Sequence, residues 1–249
     1  MASRTRRLDC IVLDRTKLSE KDLILTCLAR SGEQVRAIAK GARKPGGRFA
    51  PVSELFCEDD LLLAKGRGAL EVVSEGRLVR AHGRIRGDFA RLSAASVVAE
   101  VARQTSFQDT EDPFLHPICS KALSCVEVAQ DQRQLDLLVA AYALKVCAHG
   151  GWRPELSLCI SCGDPDVSHL SVAAGGTLCA SCAKDLPGVE EVSRDQLAWV
   201  GALVMATFDE LMAAPADLET TTWLLSLAHR WAATHLDCRL RAFEFMLSV

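Results

Sequence analysis

Over the first eighty residues apolar positions come in short bursts cut by turn residues, and beyond Asp88 they recur at helical spacing. Residues 8–13, 22–29 (DLILTCLA), 34–40 (QVRAIAK), 55–64 and 70–79 each read as a strand, and Ser31-Gly32 marks a hairpin between the second and third. Residues 41–47, with Pro45, Gly46 and Gly47, suit neither a helix nor a central strand and read as a loop. Lys65-Gly66-Arg67-Gly68 joins the last two strands. Five short strands in so short a stretch suit a small closed barrel, in which no edge is left unpaired.

Past Asp88, Leu92, Ala95, Ala99 and Ala102 line one helix face, and Val97, Val98 and Val101 widen it into a mostly buried element. A second helix is expected from Asp112-Pro113, an N-cap followed by proline in the first turn. It carries Phe114, Ile118, Ala122, Cys125, Val126 and Ala129 on one face. A third runs from about Gln134 to His149 and stops at Gly150-Gly151. After a non-periodic stretch, Ser193 and Gln196 stand at capping-box spacing. They open a helix with Leu197, Val200, Val204, Phe208 and Leu211 on one stripe, ending before Pro215. A last long helix begins near Leu218 and places Leu224, Leu227, Trp231 and His235 on one side. The expected class is α+β: a β-barrel domain over residues 1–80 and an α-helical domain over 81–249, with an irregular insert at 152–188.

Composition narrows this picture. The chain has 249 residues, 49 % of them apolar, enough to build a core in one or two domains. Its longest apolar run, residues 199–208, is far short of the roughly 18 a membrane span needs. Arg4, Arg6 and Arg7 precede too short an apolar run for a signal peptide, so a cytoplasmic protein without a membrane partner is expected. Eleven cysteines in such a chain point to a reducing compartment. Seven of them (Cys10, Cys27, Cys57, Cys119, Cys125, Cys147, Cys238) lie singly in apolar runs and read as small buried hydrophobes. The net charge of −3 conceals +7 over residues 1–91 and −10 over 92–249. Either the first part meets a polyanion or both are ordinary solvated surfaces.

The other four cysteines form C-x2-C-x16-C-x2-C: Cys159, Cys162, Cys179 and Cys182. Each CxxC turns two thiolates toward one ion, and two such knuckles supply the four soft tetrahedral ligands that zinc prefers. Gly163 and Gly175-Gly176 give the turns backbone freedom. Four cysteines leave no open coordination position for water, so a single structural Zn2+ is expected rather than a catalytic one. His169, between the pairs, is a further candidate ligand or a surface loop histidine, and the latter is the better reading.

Nothing else resembles an active site. G-x-S-x-G, G-x-x-x-x-G-K-[ST] and H-E-x-x-H are absent from the sequence. His229 and His235 are not spaced as two ligands on one helix face. Glu58-Asp59-Asp60 would in principle hold magnesium, but strand alternation points neighbours to opposite faces, and a solvated cluster is the expectation.

The positive excess is concentrated in Arg36, Lys40, Arg43, Lys44 and Arg48, joined by Lys65, Arg67 and the arginines at 4, 6, 7 and 30. Cations on the loops of a small barrel suit an electrostatic nucleic-acid groove, or simply keep a loop soluble. Aromatics are scarce there (Phe49 and Phe56), so affinity for nucleic acid would rest on phosphate contacts and fall with salt.

The segment LSEKDLILT at 18–26, the loop AKGARKPGGRF at 39–49 and Gly66-Arg67-Gly68 resemble the N-terminal barrel of the bacterial RecO family. The likeness continues through Gly151-Trp152-Arg153-Pro154-Glu155-Leu156 into Cys159 and Cys162, and through Gly175-Gly176-Thr177-Leu178 into Cys179 and Cys182. His235-Leu236 with Arg239-Leu240-Arg241 is similar to the family's closing helix. Two positions depart: Thr16-Lys17-Leu18 lacks an aromatic common there, and Ala242 replaces a small hydroxyl residue.

The resemblance implies an OB-fold barrel followed by a helical domain with a zinc module. It implies a non-enzymatic mediator of DNA repair and recombination, without a small-molecule substrate. Such a protein binds single- and double-stranded DNA, anneals complementary strands and, with RecR, helps RecA replace single-strand-binding protein. The family's basic loop maps onto Lys40, Arg43, Lys44 and Arg48, and its metal ligands onto Cys159, Cys162, Cys179 and Cys182. A cytoplasmic, nucleoid-associated location follows. The acidic tail of single-strand-binding protein calls for an apolar pocket beside a cation, with Lys121, Arg133, Arg230, Arg239 and Arg241 as candidates. The rival readings are a zinc-containing OB-fold RNA-binding accessory protein and a nuclease using the 58–60 cluster.

Overall fold

The computed structural model describes residues 5–66 and 68–248, so Arg4 and Arg67 lie outside the described residues. Contacts divide the chain into two compact units, 1–127 and 128–249.

The first unit is built on five strands, β1 (Thr5–Lys17), β2 (Leu23–Ala29), β3 (Gln34–Ala39), β4 (Glu58–Ala64) and β5 (Glu71–Arg80), closed in the order β1-β2-β3-β5-β4. The long β1 makes closure possible. Its first half pairs with β4 (Thr5↔Ala64 to Ile11↔Glu58) and its second half with β2 (Cys10↔Ala29 to Lys17↔Leu23). An irregularity between Val12 and Asp14 bends the strand between its two partners. The β2–β3 hairpin is the one expected at Ser31-Gly32, and a short parallel pairing, Ala37↔Glu71 and Ile38↔Val72, completes the ring. Small residues suit the narrow interior of a five-stranded barrel, and Cys10, Cys27, Ala37 and Ala39 stand there among Leu8, Val12, Leu25, Leu61 and Leu63. Each leucine or valine wholly removed from water contributes about 1.5–3 kcal/mol.

Three helices complete the unit: α1 (Gly83–Arg86), α2 (Phe89–Thr105) and α3 (Leu115–Val128). Asp88 caps α2 through the Arg91 N–H, and the small residues Ala94, Ala95, Val97, Val98 and Val101 let the helix lie close to β1 and β2. The third helix starts three residues after Asp112, whose carboxylate accepts from Phe114 N–H in the preceding turn. Its buried face also includes Leu115, Cys119 and Leu123, which lie beside the stripe read from spacing.

The second unit is organised around α4 (Gln132–His149), buried without interruption from Leu135 to Leu144. Around it pack α5 (Arg194–Met205), α6 (Phe208–Ala213) and α7 (Leu218–His235), and α8 (Arg241–Met246) follows. The single helix expected from Ser193 to Pro215 is in fact two. Ser193 and Gln196 form the capping box as expected, but Thr207 and Glu210 form another that starts α6 anew. The insert is not irregular throughout: β6 (His169–Ser171) pairs with both β7 (Gly176–Leu178) and β8 (Val189–Glu191). Among the seven isolated cysteines all are buried except Cys238, which is half-buried. Among the described residues no helix is long and apolar enough to cross a membrane.

Candidate nucleic-acid interface and metal centre

The basic loop leaves β3 at Lys40 and is held by backbone geometry rather than by side-chain packing alone. Asp22 accepts the Gly41 N–H at 2.8 Å, and Lys44 N–H and Gly47 N–H bond back to Gly41 and Lys44 carbonyls at 3.1 and 2.8 Å. Gly47 is obligatory here, because a Cβ would stand 2.4 Å from the Gly41 carbonyl oxygen. Ala42 belongs to the barrel core and Phe49 packs against it, so both ends of the loop are anchored. Lys40, Lys44 and Arg48 are exposed. Arg43 also serves as a clamp. Its guanidinium donates to the Ser19 and Glu20 carbonyls at 3.2 and 3.0 Å, tying the loop to the β1–β2 turn.

A polar cleft of about 370 Å³ brings Arg48 together with Arg7 of β1 and Arg77 of β5, over Asp60, Leu62 and Glu75. Arg7 and Arg77 both approach Asp60, at 3.5 and 3.4 Å. Three arginines face two carboxylates, so a net positive charge remains for an anion. Arg77 is absent from the cations expected to join this site, since its position depends on the β4–β5 register (Asp60↔Arg77), which periodicity does not reveal. Arg36 stands exposed on β3 and Lys65 exposed beyond β4, neither of them lining this cleft. Arg6 is engaged by Glu71 in a bidentate pair at 2.7–3.1 Å.

The acidic triplet is not the solvated cluster expected. Strand alternation does separate its members, but each meets protein. Asp60 faces the arginine cleft. Glu58 accepts from His82 at 3.1 Å and from the Ser120 hydroxyl at 2.8 Å, and these bonds hold its carboxyl down at about 2. His82 is buried with its other ring nitrogen 3.0 Å from Glu127, so it bridges two carboxylates. Asp59 faces the interior, 2 % exposed, with no hydrogen-bond partner among the described residues for either oxygen. Burial, reinforced by the neighbouring Glu58 charge, pushes its carboxyl up to about 8.

In the insert the thiols of Cys159, Cys162, Cys179 and Cys182 lie within 4.8 Å of one another, the only such cluster of metal-ligating groups among the described residues. The sulfurs of Cys162 and Cys179, one from each knuckle, are 3.8 Å apart. Backbone bonds shape both turns: Gly163 N–H to Cys159 O at 2.8 Å and Ala183 N–H to Cys179 O at 3.0 Å. Ile160 N–H bonds to Thr177 O at 3.0 Å and links the two knuckles. Gly176 must be glycine, since a Cβ would stand 2.7 Å from the Glu155 carbonyl oxygen. Backbone N–H groups of Cys179, Cys162 and Ser161 aim at the Cys159 sulfur and lower its pKa, favouring the thiolate a metal needs. Four converging sulfurs, one of them already solvated by amides, fit a soft divalent ion. His169 is not in the cluster; its Nδ1 lies 2.9 Å from the Ser168 hydroxyl.

Family patterns match almost the whole chain: Recombination protein O N terminal over residues 1–82 and Recombination protein O C terminal over 86–242. The chain belongs to the RecO family. Among its relatives is the DNA repair protein RecO of Bifidobacterium adolescentis, 33 % identical over 242 residues, covering 95 % of this chain and 96 % of that protein. Those of Bifidobacterium longum (strain DJO10A) and Frankia casuarinae are 30 % identical, with the same coverage. The boundary between the two RecO patterns, at residues 82–86, falls at the end of the barrel, whereas the compact units part at 127. The RecO N-terminal pattern thus covers the barrel with its basic loop, and the RecO C-terminal pattern contains all four cysteines.

Proposed function

We propose that this RecO-family chain binds single- and double-stranded DNA through the barrel loop and the adjoining arginine cleft, and anneals complementary strands. The observation that carries the reading is the cleft, which adds Arg7 and Arg77 to Arg48 of the basic loop on a closed five-stranded barrel. Annealing requires two strands to approach despite phosphate repulsion. A cationic surface screens both, and no catalytic residue is needed. Lys40, Lys44, Arg36, Lys65 and Arg67 extend the proposed contact set. The four cysteines are proposed to hold one Zn2+ that braces the insert. RecR and single-strand-binding protein are the proposed partners in loading RecA, in the cytoplasm at the nucleoid.

Annealing of complementary oligonucleotides across a salt series tests this. Because Arg43 also ties down the loop, the deciding variant is Lys40→Ala/Lys44→Ala/Arg48→Ala, with Arg7→Ala/Arg77→Ala as a second. Wild type should lose affinity with a log–log salt slope of about −0.7 per phosphate neutralised on single strands. Both variants should anneal more slowly and show a shallower slope. Equal annealing by wild type and both variants would place DNA contact elsewhere.

A further inference from the structure

The second unit holds a hollow of about 640 Å³ between α5, α6 and the start of α7. Its floor is apolar, with half-buried Trp199 and Ala202 and buried Leu211. Its rim carries Asp195, Glu210 and Asp217, all exposed, and no lysine or arginine lines it. A concave surface with an apolar floor and a few charged groups at its rim is the usual form of a binding site.

The rim charges are firmly negative. Glu210 is stabilised as a carboxylate by the Thr207 N–H and hydroxyl, and Asp217 by the Thr220 N–H. Those bonds cap α6 and α7, and they explain why carboxylates stand at two of the three positions. Asp195 stands in the first turn of α5, where the helix dipole favours a carboxylate, so helix-end chemistry places all three charges on one rim; it does not account for the open apolar floor between them. Of the cations beside the hollow, Arg194 is exposed next to Asp195 on α5 but does not line it, and two others are engaged by protein. Lys145 donates to the Val204 and Ala206 carbonyls at 2.8 and 2.6 Å, and Arg133 pairs with Asp131 and reaches the Ala216 carbonyl at 3.4 Å. An acidic peptide tail would therefore meet three carboxylates and no free cation in the hollow.

We propose that this hollow docks a cationic segment of a partner protein, one with an apolar side chain inserted over Trp199 and Ala202 and lysines or arginines paired with Asp195, Glu210 and Asp217. Charge complementarity selects the sign of the segment, and the floor supplies the anchor that flat charged surfaces lack. The hollow shares no residue with the barrel loop or the arginine cleft, so its occupant does not compete with nucleic acid for the same side chains.

The test uses the full chain and two synthetic peptides with the same central Leu-Phe pair, one flanked by lysine and arginine and its twin by aspartate and glutamate. Binding is followed by fluorescence anisotropy at low and physiological salt, and its location by the Trp199 indole N–H resonance. The variants are Asp195→Asn/Glu210→Gln/Asp217→Asn, which keeps capping acceptors in place, and Ala202→Phe, which fills the hollow and leaves the side-chain caps of α5, α6 and α7 unchanged. The expected result is salt-sensitive binding of the cationic peptide, a moved Trp199 resonance, and an affinity about tenfold lower in each variant. Should the triple variant unfold, Ala202→Phe decides. Equal binding to wild type and Ala202→Phe, preference for the acidic twin, or no binding of the cationic peptide at about 1 mM overturns the proposal. DNA binding, measured alongside, is expected to be unchanged in both variants, so failure here is distinguishable from failure of the barrel reading.

Discussion

The barrel and the cysteine insert are both small β structures, yet their cohesion has different sources. The barrel closes a ladder around a cluster of fifteen buried residues. The insert's cluster has three fully buried members, Cys159, Leu178 and Cys179, and two of these are metal-ligand candidates. In the barrel, surface chemistry and core are therefore largely separable, and the exposed loop cations Lys40, Lys44 and Arg48 can change without touching what holds the strands. In the insert the same residues serve both purposes. The lesson is that loss of a functional side chain should leave one region folded and unfold the other.

The largest effect expected follows from that contrast. Cys159→Ser should remove bound metal and the insert's cooperative structure together, since structural zinc contributes on the order of 10–16 kcal/mol in small zinc peptides. Metal content by atomic absorption and proteolysis of the 152–188 region would report both. Metal loss with the insert still protected would show that its backbone pairing suffices, and the contrast with the barrel would fail.

Next comes an internal challenge to the barrel. Asp59 has a folded pKa of about 8, far above its ordinary 3.8. A raised pKa means that its contribution is fully present below about pH 4 and is lost as pH rises through 8. Across that window the cost is of order several kcal/mol. Glu58, held down at about 2, works in the opposite sense, contributing above pH 4.5 and losing that contribution as pH falls toward 2. Denaturant titrations of Asp59→Asn should show flatter stability between pH 5 and 9 than wild type. Parallel pH profiles would mean that Asp59 is hydrated in solution.

A smaller effect separates the two helices that the apolar stripe runs together. Thr207→Ala removes the α6 cap and should lower stability by about 1 kcal/mol, read from the denaturation midpoint. The smallest concerns the barrel cations. Lys40→Ala/Lys44→Ala/Arg48→Ala should move the barrel's stability by no more than about 0.5 kcal/mol, whereas Arg43→Ala should cost more because it frees the Ser19 and Glu20 carbonyls. Equal, near-zero costs for the two would mean the Arg43 clamp contributes nothing.

Much of this was legible in the chain. Five strands, the Asp88 and Ser193 helix starts and the metal-ligand candidates fall where periodicity, capping chemistry and CxxC spacing put them, but β1 runs over Thr5–Lys17 rather than only 8–13, and β4 begins at Glu58, after a turn at 55–56, rather than at residue 55. The break between α5 and α6 was written in Thr207 and Glu210, but Phe208 and Leu211 continue the stripe of Leu197 and Val200 and masked it. The sheet of β6, β7 and β8 escaped because three-residue strands are too short to show alternation. Arg77 escaped because only a paired register places it opposite Asp60.

What the sequence determined by itself is local: the strand and helix periods, the caps, and the two knuckles, each set within a few residues. Alternation even required Asp59 to face away from Glu58 and Asp60. Which of those faces would be dry was decided by closure of the barrel. Removing water from one side of a strand is a property of the assembled ring, and it turned one aspartate into a buried acid while its neighbours met arginine and histidine.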